Sequence, residues 1–436
     1  MDSPSQLGRP FWVLWSALTA TNIGDGIRLV ALPLLATQMT QNPALIALVT
    51  VFTYVPALLF GQIAGVVVDR VRKRRLIAFS QIIRAAVLAV VAVAIALGEL
   101  SIGMLCAAAF LYGVGEAVAD PAAHAMLPRL VPARDLSRAN SDLQSGQIIG
   151  EMFVGRALGG ILFAVAQPLP VVANALLLAA AALAMFSLGG WESDSEHESE
   201  REPEHGGAPG ERAGEHAGGG IRQFARELAD GIRVVTHSRL LGVMALLLAV
   251  WAGVSGAFWG VAAIYALRDL ESGEIGFGIM LALSAIGSLV GARVAIRVIR
   301  KLGAPSAGLT AVLVSGASII ALTWTRELWL AALLLAFNGT AVTLWNVMTI
   351  TIRQAAVETN MLGRVSSTYL VMARLALPIG AGLAGLLATA TDAPTVFFVF
   401  GSVLVLAAAV LLPLLWKQFG HSWPRGHDSA QKVTAR

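Results

Sequence analysis

Apolar residues in this chain gather in blocks of twenty or more, and polar residues collect in the short stretches between them. A helix needs about 20 apolar residues to cross a bilayer. By that measure candidate spans fall at 11–37, 43–68, 76–97, 101–127, 138–166 and 169–190. A second set falls at 240–267, 275–299, 304–324, 327–352, 363–389 and 393–416. Backbone groups inside lipid must be satisfied within their own segment, so these blocks are helices and not open sheet. The pattern predicts an all-α integral membrane protein with twelve transmembrane helices in two six-helix, pseudo-symmetric bundles. Residues 1–190 form the first bundle, 191–239 a cytoplasmic linker, 240–416 the second bundle and 417–436 a cytoplasmic tail.

Composition agrees. Of 436 residues, 56% are hydrophobic and 13% charged, far too apolar for a water-soluble globular fold. The charges sort by loop. Arg70 to Arg75, the loop with Arg129, Arg134 and Arg138, the pair Arg300 and Lys301, and the loop with Arg353 and Arg364 fall on one side. The opposite loops carry Arg268 and Arg326 with the acids Glu99, Asp269, Glu271, Glu274 and Asp392. Basic short loops stay in the cytoplasm, which places both termini there. The net charge of +4 is therefore an orientation signal and not a nucleic-acid footprint. The single cysteine, Cys106, allows no internal disulfide. No cleavable signal peptide is evident, because polar residues from Asn22 to Arg28 interrupt the first apolar block.

The stretch 191–220 is acidic, glycine-rich and poor in aromatics, the composition of a disordered tether. Its histidines, His197, His205 and His216, raise a metal-sensing loop as the rival reading. Residues 221–239 are expected to form an amphipathic helix on the membrane surface. One offset aligns Leu136 with Leu362, Arg138 with Arg364 and Gly159 with Gly385, the mark of a parallel repeat with its site between the halves.

Eight charged residues fall within the spans: Asp25, Arg28, Arg84, Glu116, Asp120, Glu151, Arg156 and Arg374. Each costs about 2.5–3.5 kcal/mol at the middle of a lone helix, so most must be paired, interfacial or turned to a wet cavity. Asp25 and Arg28, three apart, share a helix face and are placed to interact. Glu116 and Asp120, four apart, stack on one face of the fourth span. Two close, buried carboxylates disfavour double ionisation, which makes Asp25, Glu116 and Asp120 proton-coupling candidates, Glu116 foremost as the deeper of the fourth-span pair. The structural alternative is that these acids pair with Arg84 or Arg156. Glu151 is a cavity candidate or the partner of Arg156. Trp345 in the tenth span, with Trp251, Trp259 and Tyr265 in the seventh, could stack a planar substrate or anchor at the lipid interface.

Between the second and third spans runs Gly65-Val-Val-Val-Asp69-Arg70-Val-Arg72-Lys73-Arg74-Arg75. This Gly-x-x-x-Asp-Arg lead-in to a basic cluster resembles motif A of the major facilitator superfamily, with Arg72 where a Gly is usual. Gly65, Asp69, Arg70 and Arg74 are the residues that match. The resemblance implies a conformational latch: Asp69 accepts from backbone N–H groups at the start of the eleventh span near Gly363, while the basic residues hold anionic lipid. Asn22-Ile-Gly24-Asp25-Gly26, Gly115-Glu116-x-x-x-Asp120-Pro121, Leu136-x-Arg138-Ala139-Asn140, Trp345-Asn346, Arg353-Gln354 and Leu362-Gly363-Arg364 extend it. Together they are similar to the drug–proton antiporter branch that includes macrolide and siderophore exporters. Members of that branch carry Gly-Pro in the fifth helix. Here Gly155 is followed by Arg156, which suggests a role in holding an anion or neutralising a carboxylate.

The resemblance implies alternating-access export of hydrophobic or amphipathic, drug-like molecules by proton antiport, from a monomer in a bacterial inner membrane. Its partners are a small-molecule substrate, protons and the lipid bilayer, with no cofactor, metal or nucleic acid. Arg28, Arg84, Glu151, Arg156, Trp345, Asn346 and Arg374 are the cavity or ion-pair candidates. Siderophore or lysolipid export is the nearest alternative, and a channel or an integral-membrane enzyme a more distant one. No nucleotide-binding P-loop, zinc-protease or nucleophile-elbow motif occurs. Gly380-Ala-Gly382-Leu-Ala-Gly385 fits a dinucleotide fingerprint but lies within a span, where small residues serve helix packing.

Overall fold

The computed structural model describes residues 7–188, 220–357 and 359–419, and among them there is no strand. The first six spans are α1 (Arg9–Met39), α2 (Pro43–Arg70), α3 (Lys73–Leu97), α4 (Ile102–Leu130), a fifth in three parts, and α7 (Leu169–Ser187). The three parts are α5 (Leu136–Gln147), a π-helical segment (Ile148–Gly155) and α6 (Arg156–Val165). The amphipathic stretch expected after the tether is helical, as α8 (Gly220–His237). Then come α9 (Arg239–Ile264), α10 (Gly273–Leu302), α11 (Ala304–Ala321), α12 (Leu328–Ala356), α13 (Thr359–Ala390) and α14 (Ala393–Phe419). The tether and its three histidines lie outside the described residues.

Local signals set the helix ends. Ser101 accepts from the Met104 N–H at 3.2 Å and opens α4, and Asp392 accepts from the Thr395 N–H at 2.7 Å and opens α14. Gly98, at φ 72°, takes the left-handed conformation that closes α3.

Eleven of these spans are long and apolar enough to cross a membrane. The expected first span is not among the eleven. At 31 residues α1 is long enough, but Asn22, Asp25 and Arg28 dilute its middle. The structure turns Asp25 and Arg28 inward, 6% and 4% exposed, so the charges at the middle of α1 face protein.

The chain divides into two compact units, one of residues 1–39 and 52–226, the other of 40–51 and 227–436. The opening of α2, read from sequence as part of the first bundle, groups with the second unit. There Thr50 Oγ1 donates to the Trp259 carbonyl at 3.4 Å, and a methyl group on Gly385 would lie 2.4 Å from the Ala47 Cβ and 3.1 Å from the Ala44 Cα.

In the first unit α1 is the central helix, packed on α4, α5, the π segment, α6 and α7, while α3 lies against α4 and α7. In the second, α9 packs on α13 and α14, and α12 on α10 and α11. The outward faces are apolar: Leu176 is 65% exposed and Leu183 69%. In water such surfaces drive association, and against acyl chains they cost nothing.

The aromatic residues of the second unit correct the sequence reading. Trp345 is 2% exposed and Trp251 5%, with ring centroids 5.3 Å apart, so neither faces lipid or an open pathway. The Tyr265 hydroxyl donates to the Leu322 and Thr325 carbonyls at 2.9 and 3.1 Å. These side chains fill the core, where large rings bury the most apolar area.

Candidate functional site

The charged residues of the first unit converge on α1. Glycine makes this possible. A methyl group on Gly26 would overlap the Glu151 carbonyl, and one on Gly155 would lie 2.8 Å from the Gly26 Cα. Backbones this close leave the neighbouring Asp25 and Arg28 enclosed by protein on every side.

Asp25 accepts a charge-assisted bond from Arg84 Nη2 on α3 and another from the Tyr112 hydroxyl of α4 at 2.7 Å. Gln81 orients Arg84, accepting from Nη1 at 2.9 Å, and donates to Thr21 Oγ1 at 2.9 Å. Arg28 reaches α4 instead, where Nη2 meets Glu116 Oε2 at 2.9 Å. Both guanidiniums lie over the Tyr112 ring, at 4.1 Å for Arg84 and 4.4 Å for Arg28. The ring's negative face offsets part of their mutual repulsion. Asn174 of α7 meets the Tyr112 hydroxyl at 3.3 Å.

This arrangement revises the pairing expected from spacing. Asp25 and Arg28 approach only to 4.0 Å, because each has a better partner on another helix. Glu116 pairs with Arg28, not with Arg84 or Arg156. Arg156 pairs with Glu151 at 3.6 Å. Five residues apart, those two would point about 140° from each other on an α-helix of 3.6 residues per turn. The π segment, whose bonding runs from i to i+5, returns residue 156 to the face of residue 151.

Asp120 differs from the other acids. It has no hydrogen-bonded or ion-paired partner among the described residues and is exposed to a cavity of about 190 Å³ between α1, α4 and α5. The cavity's polar lining is Asn22, Asp120, His124, Asn140, Gln144 and Gln147. Pro121 follows Asp120 and has no N–H for the Ala117 carbonyl, which loosens α4 at this point. His124 stands one turn below Asp120, so Glu116, Asp120 and His124 form a titratable line at a spacing of four. Tyr112, Gln81, Asn174 and His124 carry this site and went unnoticed in the sequence. The i, i+4, i+8 spacing of Glu116, Asp120 and His124 was the one available signal.

The remaining candidates scatter. The side chains of Gly65, Asp69 and Arg70 lie outside the described residues, although their backbone completes α2. Arg74 Nη1 donates to the Phe186 carbonyl at 3.2 Å and so caps α7. Asn346 is exposed and Arg374 half-buried on the second unit. Among the described residues no group of His, Cys, Asp and Glu could hold a metal ion.

A family model described as a transmembrane secretion effector matches residues 7–421. Over 417 residues the chain is 23% identical to macrolide efflux protein A of Streptococcus pyogenes, covering 93% of this chain and 95% of that protein. It is 26% identical over 419 residues to the multidrug efflux pump Tap of Mycolicibacterium fortuitum, covering 92% and 95%. The crystal structure of the nucleoside transporter NupG superposes with a TM-score of 0.72 at 12% identity, over 94% of this chain and 99% of that one. At that identity the superposition speaks to fold alone.

Proposed function

The chain belongs to the transmembrane secretion effector family of major facilitator transporters, and from that premise we propose that it exports drug-like amphipathic molecules in exchange for protons. Relatives that pump macrolides and other drugs support the substrate class. The charge sorting of the loops supports a bacterial inner membrane with both termini in the cytoplasm, and the protein acts as a monomeric carrier, not as an enzyme.

One observation carries the coupling. The membrane part of the first unit holds four of the predicted acids, Asp25, Glu116, Asp120 and Glu151, against three arginines, Arg28, Arg84 and Arg156. Three acids are matched one to one, with Arg84, Arg28 and Arg156 respectively. Asp120 is left over, beside a polar cavity. A carboxylate without a counter-ion that opens to a cavity is the one whose protonation disturbs no ion pair and which a proton can reach. Asp120 is therefore the proton carrier, ahead of Glu116. Proton entry supplies enough driving force: one charge moving down about 150 mV releases roughly 3.5 kcal/mol.

Purified protein in proteoliposomes with an imposed pH gradient tests this, with a macrolide as the transported probe. Asp120→Asn is expected to abolish uphill, pH-driven transport while substrate exchange continues. Glu116→Gln is expected to fold poorly, because it strands Arg28. Full pH-driven transport by Asp120→Asn would move the proton to another acid.

A further inference from the structure

We propose that the C-terminal end of α10 binds the phosphate of an anionic phospholipid through Arg293, Arg297 and Arg300. The site is independent of what the protein carries and gives one of its helices a lipid partner.

Position comes first. Arg293 and Arg297 fall inside the apolar block 275–299, which adds two charges to the eight within the spans. Orientation is set by charges in short loops, which accounts for Arg300 and Lys301 but not for these two. The internal repeat does not account for them either. The offset that aligns Leu136 with Leu362 also aligns Gly65 with Gly291, Asp69 with Ala295, Arg74 with Arg300 and Arg75 with Lys301. The end of α10 is thus the second-half counterpart of the basic loop after α2, with alanine in place of the acid. Arg293 and Arg297 stand where the first half has Val67 and Val71.

Geometry comes second. Residues 293, 297 and 300 are spaced four and three apart, so they share one face of α10 over about 10 Å of its axis. All three are exposed, and so is Lys301 beside them. The opposite face is fixed within the second unit. Ala295 is fully buried, and a methyl group on Gly291 would lie 2.7 Å from the Thr340 carbonyl oxygen of α12. On the arginine side the exposed neighbours are Ile286, Val290 and Ile296, a surface suited to acyl chains. The 30 residues of α10 run about 45 Å, against about 30 Å of hydrocarbon, so its last turns emerge among head groups. Arg293, two turns before Arg300, reaches that layer by extending its long side chain.

The ligand's chemistry follows. Arg293, Arg297, Arg300 and Lys301 have no hydrogen-bonded or ion-paired partner among the described residues. α10 packs on α11 and α12, and neither contains an Asp or Glu. The one acid of α10, Glu274, lies in its first turn at the far end. Guanidiniums at the edge of an apolar layer need a counter-ion from outside the chain. A phosphodiester supplies it in the planar, bidentate form that arginine binds best. A free phosphate would meet the same arginines but gain nothing from Ile286, Val290 and Ile296. An anionic lipid satisfies both surfaces, whereas a zwitterionic one brings its own cation to the arginines.

The test is titration of the purified full-length protein in mild detergent with phosphatidylglycerol, phosphatidylcholine or soluble glycerol phosphate. Native mass spectrometry counts the bound molecules. Phosphatidylglycerol is expected to bind about tenfold or more tighter than phosphatidylcholine, as two or three arginines near a head group warrant. Glycerol phosphate at the same concentration should not displace it. Arg293→Gln with Arg297→Gln should lose one tightly bound phosphatidylglycerol while keeping the wild-type melting temperature in detergent. Arg129→Gln with Arg138→Gln removes the same charge from another basic loop and should keep the wild-type count. Equal affinity of wild type for the two lipids overturns the proposal, whatever the variants do. So does an unchanged count in the folded Arg293, Arg297 variant, or an equal loss in the Arg129, Arg138 variant, which makes the effect one of net charge. Displacement by glycerol phosphate makes this a site for free phosphate esters and overturns the lipid assignment.

Discussion

Arg84 is the residue on which the buried network turns. It is 0% exposed and bonded to Asp25 and Gln81, with Tyr112 beneath its guanidinium. Removing it takes from Asp25 its closest counter-ion in a shielded interior and leaves only the Tyr112 hydroxyl and the distant Arg28, which costs about 3–5 kcal/mol. Arg84→Met is therefore expected to express poorly and to melt well below the wild type. The double variant Arg84→Met, Asp25→Asn should recover much of the loss, since no charge is then stranded. Thermal unfolding in detergent decides this. If the single and double variants melt alike, the pair does not act as a unit.

Helix ends carry smaller energies that pH exposes. Asp392 lies outside the spans, and the Thr395 side chain and then its backbone N–H hold the carboxyl below its ordinary range. A depressed carboxyl stabilises above its unfolded pKa and loses that contribution as pH falls through the folded one. Asp392→Ala is expected to cost about 1 kcal/mol at pH 7, the usual value of an N-cap. The gap to wild type should close in strongly acidic buffer. Melting curves across pH check it, and a gap that widens on acidification contradicts the capping role.

At this scale too, the legibility of the sequence divides cleanly. Span positions followed from apolar length, because lipid forces helix on any such block. That Asp25, and not Glu116 or Asp120, would be the acid that takes Arg84 did not follow, since partners on separate helices depend on which faces meet. Spacing along one helix suggested Asp25 with Arg28, and inter-helix geometry won. Trp345 misled for a related reason: a lone large ring in a span reads as interfacial until its neighbours are known. Glu116 looked the better proton carrier from depth alone, whereas the ion pairs leave Asp120 unmatched.

For the molecule as a whole, orientation is the property on which direction of transport depends. Glu99 and Arg134 are both exposed, at opposite ends of α4. In a Cys106→Ala background, Glu99→Cys is expected to react with an impermeant thiol reagent added to intact cells. Arg134→Cys should react only after the membrane is opened. The opposite pattern reverses the topology and with it the sense of export.

The π-helical segment has a counting consequence. Gly146, Gly150, Gly155 and Gly159 all abut α1, yet their spacing runs four, five, four. An α-helical stripe runs at intervals of three and four, so the interval of five marks one surplus residue, accommodated as a π segment where the stripe would otherwise rotate off its partner. The fifth span thus holds one residue more than an unbroken α-helical stripe needs, and that residue should be removable. Deleting Phe153 turns the spacing to four, four, four and restores an ordinary helix with its glycines still facing α1. That variant is expected to fold and to melt close to the wild type. Deleting Leu158 instead shortens the last interval to three and swings Gly159 away from Val30, and that protein is expected to fail to assemble. If both deletions behave alike, the surplus residue is not what the π segment absorbs.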